Sequence, residues 1–96
     1  MEQEQINING IEFRGIRLKT QHGTILLVQG AKANLGCGYF SIAPADQLGD
    51  RFAIVTGVKC FEDMLQANIR QFSRAAAESG VTDSMTGRDD LLLMEK

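Results

Sequence analysis

The residues whose types could do chemistry gather at two places. The first is Gly36-Cys37-Gly38, a thiol between two glycines. Glycine reaches backbone conformations other residues avoid and lets a ligand or a second chain segment come close. Successive N–H groups in such a turn can form an anion-binding concavity, and a thiolate beside them is a nucleophile of lowered pKa. Cys37 is therefore the candidate catalytic residue, with Gly36 and Gly38 as candidate ligand-binding positions. The competing reading is a small buried side chain in a tightly packed strand, because free cysteine is among the most buried residue types.

A nucleophilic cysteine needs a base. The chain has one histidine, His22, in an expected turn. It can serve Cys37 only if the fold or a neighbouring subunit joins them. With one histidine and two cysteines 23 positions apart, a zinc site within one chain is poorly supported; a metal at a subunit interface stays open but unprompted, and no metal or cofactor is expected.

The second place is Arg51 with the turn Thr56-Gly57-Val58-Lys59. The turn follows an apolar run and precedes a helical pattern. Strand ends and helix starts of this kind favour anions, so Arg51, Thr56, Gly57 and Lys59 are candidate ligand-binding residues. The glycine pattern of a phosphate-binding loop or dinucleotide fingerprint is missing. The bland alternative is a solvated turn. Asp46, Asp50 and Asp63 could supply a general base, but they form no acid-base pair and read as solvated helix ends. Cys60, next to Phe61, reads as core.

The elements that must position these residues follow from periodicity. Ile6 and Ile8, then Ile11 and Phe13, alternate with polar residues around Asn9-Gly10, a strong hairpin signal. A β-hairpin is expected over residues 4–14, with one apolar face that must dock on something. Gly15 suggests a bulge. Thr24 to Val28 reads as a buried strand, Ala31 to Leu35 as a connection, and Gly38 to Ile42 as a strand. Ala43 to Leu48 reads as a short helix with proline near its start. Phe52 to Val55 is a further buried strand. Phe61, Met64, Leu65, Ile69, Phe72 and Ala76 recur at spacings of three and four, which predicts one helix ending near Gly80. Thr86-Gly87-Arg88-Asp89 resembles a capping box opening a helix to Met94. Strands first and helices last predict an α+β fold: one domain over residues 1–96, with a mixed, mostly antiparallel sheet.

Composition narrows the function classes. The chain has 96 residues, 44% hydrophobic and 23% charged, which suits one globular domain with a thin core. Self-association would add burial. The net charge of −2 and the lack of a basic stripe speak against nucleic acid as a partner. No apolar run approaches the ~20 residues of a membrane span, and the polar N-terminus does not resemble a signal peptide. A cytoplasmic protein with reduced thiols is expected, with no membrane partner.

Three stretches resemble the YunC-like family of small bacterial and archaeal proteins, whose function is unknown. They are Gly36 to Phe40; Gly49-Asp50-Arg51 through Ala53 to Val58 and Phe61 to Leu65; and Gly80 with Met85-Thr86-Gly87-Arg88. With Thr24 to Val28, the resemblance covers about residues 10–96. It implies a compact domain whose N-terminal β region forms a tetramer, and it carries over no catalytic residue. The matching oligomer interface here would be Ile6, Ile8, Ile11 and Phe13. Relatives look more strand-prone just after Met64-Leu65, where this sequence reads as helix. The leading expectation is a homo-oligomer of unestablished biochemical role. The alternative is a thiol-dependent enzyme, or a binder of a small anionic molecule at Cys37 and the Thr56–Lys59 turn.

Overall fold

The computed structural model describes residues 1–96. Asn9 (φ 52°) and Gly10 (φ 84°) both take positive φ, as a tight hairpin turn requires. They join β1 (Glu2–Ile8) to β2 (Ile11–Lys19), paired from Glu2↔Arg17 to Ile8↔Ile11. The ribbon is thus longer than the 4–14 expected. Gly15 makes no bulge: it stays in register opposite Glu4 and Val28. Its missing side chain makes room instead, because a Cβ there would meet Phe61 Cζ at 2.8 Å and Ile6 Cδ1 at 2.9 Å.

The chain turns at Thr20, whose N–H donates to the Gly23 carbonyl, and returns as β3 (Thr24–Gln29). β4 (Ala33–Gly36) falls where a connection was expected. Its alanine, asparagine and glycine have low strand preference, but the slot between two strands pairs its backbone and overrides that preference. The residues after it do not form the strand expected over 38–42. They turn, with Phe40 N–H donating to the Cys37 carbonyl. Then α1 (Ala43–Leu48) ends at Gly49 (φ 79°) and leads to β5 (Arg51–Ile54), parallel to β4. The sheet order is β1-β2-β3-β4-β5-β6, and every neighbouring pair but β4–β5 is antiparallel.

The single helix expected from Phe61 onward is in fact three elements. α2 (Phe61–Gln66) ends at Ala67, β6 (Gln71–Phe72) pairs with β5, and α3 (Arg74–Glu78) follows. Backbone partners explain the break. Ile69 N–H donates to Met85, Arg70 N–H to Ile54 and Ser73 N–H to Phe52, so the segment closes the sheet edge. Ile69 and Phe72 would be apolar contacts in either conformation, so the three-and-four spacing could not separate the two. α4 (Gly87–Met94) begins where expected, with the Thr86 hydroxyl accepting the Asp89 N–H.

The core lies between one sheet face and the C-terminal helices. Ile8, Phe13, Leu26, Val28, Leu35, Ala53 and Val55 meet Met64, Leu91 and Met94. Burying a side chain such as Phe13 is worth about 2–3 kcal/mol. α2 and α4 press together at Gly87, where a Cβ would collide with the Met64 carbonyl oxygen and stand 2.8 Å from Leu35 Cδ2. The result is the α+β architecture the sequence order implied.

Candidate functional site

Cys37 follows β4 and sits inside, 4% exposed. Its N–H donates to the Leu26 carbonyl, and its Sγ accepts the Leu26 N–H at 3.3 Å. Thr24 O stands 4.0 Å from Sγ. The thiol thus faces β3 backbone. Cys37 and Gly38 border a cavity of about 300 Å³, together with Thr24, Tyr39, Gly57 and Val58. The fold therefore joins the two expected clusters in part: Cys37, Gly38 and Gly57 share one cavity, and Thr56 Cγ2 lies 3.7 Å from where a Cβ on Gly38 would sit.

The other candidates lie elsewhere. Gly36 leaves room for aromatic rings, since a Cβ there would meet Phe40 at 2.5 Å and Phe52 at 2.9 Å. Phe40 and Phe52 meet as a tilted pair, with centroids 5.5 Å and planes 51° apart. Arg51 is at the opposite end of β5 from Thr56 and Gly57. Its Nη1 donates to the Met94 and Lys96 carbonyls at 2.6 and 2.8 Å, closing the C-terminal end of α4. The Lys59 side chain is exposed, and its N–H donates to Asp63 Oδ2. Asp63 therefore works as a local cap, whereas Asp46 reaches from α1 to accept the Arg74 N–H at the start of α3. Cys60 is exposed rather than core; its Sγ accepts Asp63 N–H at 3.5 Å as the N-cap of α2. His22 is exposed in its turn, where the Thr20 hydroxyl binds Tyr39 Oη at 3.1 Å.

The ribbon residues divide in a way the alternation alone did not reveal. Ile8 and Phe13 are 1% and 2% exposed, buried in the protomer's own core. Ile6 packs against that core, and Ile11 is exposed. The reverse side of the ribbon is the freer apolar surface. The register sets Ile16 opposite Leu27 and Leu18 opposite Ile25. Leu18 is 44% exposed and the other three are half-buried.

Two carboxylates outside the expected sites are set apart by their surroundings; one of them, Asp90, suits the dipole of α4 by its first-turn position but lies inside. Asp90 is fully buried, and neither of its oxygens has a hydrogen-bond partner. Burial pushes its pKa from 3.8 to about 8. The signal was present: Gly87, Asp90, Leu91 and Met94 share the buried face of α4 by helical spacing. Glu95 accepts the N–H groups of Ala31, Lys32 and Ala33 at 2.6, 2.9 and 2.9 Å. Burial alone would raise its pKa. The three hydrogen bonds and the Lys32 charge outweigh that and hold it below the ordinary value. No spacing rule links positions this far apart.

A mixed six-stranded sheet with helices packed on its core face, and a small cavity beside a buried thiol, defines a compact α+β domain. The chain belongs to the family described as Domain of unknown function (DUF1805), whose pattern matches residues 36–94. That match begins at the Gly36-Cys37-Gly38 segment and ends at the last residue of α4. A crystal structure of a protein of unknown function from Thermoplasma acidophilum has the same fold, with a TM-score of 0.92 and 25% identity over 97% of this chain and 91% of that one. No curated protein matches the sequence. No helix is long and apolar enough to cross a membrane.

Proposed function

We propose that this chain is a cytoplasmic, YunC-like domain that assembles with copies of itself, as a tetramer, through its N-terminal ribbon. The supporting observation is the apolar cluster of Ile16, Leu18, Ile25 and Leu27 on the reverse face of β2 and β3. Adjacent branched side chains on an open sheet face favour a partner that removes them from water. Polar Gln3, Arg14 and Gln29 lie on the same side of the pleat and would form the rim. β1 is the sheet edge, and its unpaired backbone groups offer a second route to pairing between copies. The residues on this surface differ from Ile8 and Phe13, which are already buried.

Light scattering of the full chain tests this. The expected mass is a multiple of one protomer, and Leu18→Glu or Leu27→Glu should reduce it. A single-protomer mass at every concentration would refute assembly. Point substitutions are preferable to deleting residues 1–10, because that deletion removes core Ile8.

A second reading has its own support. The cavity bordered by Cys37, Gly38 and Gly57 suits a small molecule attacked by, or resting beside, the thiol. Fast alkylation of Cys37 at neutral pH, prevented by Cys37→Ala, is the expected result. Labelling confined to exposed Cys60 would remove this reading.

A further inference from the structure

Three consecutive amides, on Ala31, Lys32 and Ala33, point at one carboxylate, that of Glu95. Convergent backbone N–H groups of this kind bind anions wherever they come from. Lys32 adds a positive charge to the same spot and contributes to lowering the Glu95 pKa. The fit is close. A Cβ on Gly30 would collide with Glu95 Oε1 and stand 2.6 Å from its Cδ, so glycine is needed for the carboxylate to sit there.

The occupant is attached at the edge of the fold. Glu95 follows the last turn of α4, and the backbone on either side is held by Arg51 through the Met94 and Lys96 carbonyls. Arg51 and Lys32 also border an open cavity of about 440 Å³ with Gly30 and Asn34. Asp50 also borders it and disfavours a highly charged occupant beyond the amides. Ala31, Lys32 and Arg51 therefore border open space beside the amides that the chain's own carboxylate occupies.

We propose that Ala31–Ala33 is a receptor for a carboxylate or phosphate group, occupied by Glu95 in the resting protein and open to competition from a group of the same chemistry. The site lies outside the Cys37 cavity and the apolar ribbon face. It is independent of both.

The test is amide NMR of the full chain, wild type and Glu95→Ala, titrated with sodium acetate and with inorganic phosphate at constant ionic strength. In Glu95→Ala, the Ala31, Lys32 and Ala33 amides should shift saturably. The wild type should need about ten-fold more anion, because the tethered carboxylate competes by mass action. Lys32→Ala in the Glu95→Ala background should weaken the response several-fold. Tighter acetate binding assigns a carboxylate, and tighter phosphate binding assigns a phosphate group; either supports the receptor. Absence of saturable shifts at these three amides would overturn it, as would equal responses in wild type and variant. If Glu95→Ala fails to fold, Glu95→Gln removes the charge while keeping the side-chain length, and is read by the same criteria.

Discussion

Replacing Asp90 by Asn should stabilise the protein at neutral pH, and the size of the effect follows from where Asp90 sits. The residue is fully buried on α4 with both oxygens unpartnered, and its pKa is raised from 3.8 to about 8. At pH 7 the folded protein therefore holds a proton on Asp90 that the unfolded chain has released. Holding it at a pH about three units above the ordinary pKa costs about 4 kcal/mol. The folded state binds more protons than the unfolded state throughout the interval from about 4 to 8, so this group makes stability fall as pH rises there. Each pH unit removes about 1.4 kcal/mol. Asn is close in size, neutral at every pH, and bears a similar cost for a buried polar group. The difference between Asp90→Asn and wild type should thus grow from near zero at pH 4 to about 4 kcal/mol at pH 7, and level off above pH 8. Urea denaturation across that range measures it. Two parallel stability curves would refute the reasoning. A wild type that gains on the variant as pH rises would do the same, since it would mean that Asp90 is ionised and paired.

Other outcomes rest on separate contacts. Gly87→Ala should destabilise the fold by about 2 kcal/mol or more through overpacking, because its Cβ would be driven into Met64 backbone rather than into a side chain that can move; thermal denaturation reads the loss. Glu95, with its pKa lowered, contributes stability that is fully present above its unfolded value and is lost as pH falls through the folded one. Glu95→Gln should therefore flatten the acid limb of the stability curve below about pH 4.5, the ordinary glutamate value. Ser73→Ala should cost about 1–3 kcal/mol, because the buried hydroxyl accepts from Phe52 and Ala76 N–H and donates to the Asp50 carbonyl. Hydrogen exchange at Phe52 and Ala76 should quicken in that variant while β1–β2 stays protected.

Local signals determined much of this protein. Asn9-Gly10 set the hairpin turn because two adjacent positive φ values suit few residue pairs. Pro44 and Gly49 bounded α1, and Thr86 opened α4, because each acts within one turn of its own position. Together with the apolar run Thr24 to Val28, which marks β3, these features supplied the α+β order and the last helix. The family match begins at the Gly36-Cys37-Gly38 segment, which glycine and cysteine content alone sets apart in the sequence. Tertiary structure decided what depends on distant partners. Ala33–Gly36 is a strand because β3 and β5 pair it, and the expected long helix breaks because β5 and the residues before α4 claim its backbone. Phe13 points inward and Leu18 outward on one strand, a choice fixed by which sheet face the helices cover. Arg51 left the expected anion site for the end of α4, and Glu95 crossed the fold to the Ala31–Ala33 amides. Periodicity describes a segment against its own axis; the partners of a backbone edge or a carboxylate are set only when the whole chain has closed around them.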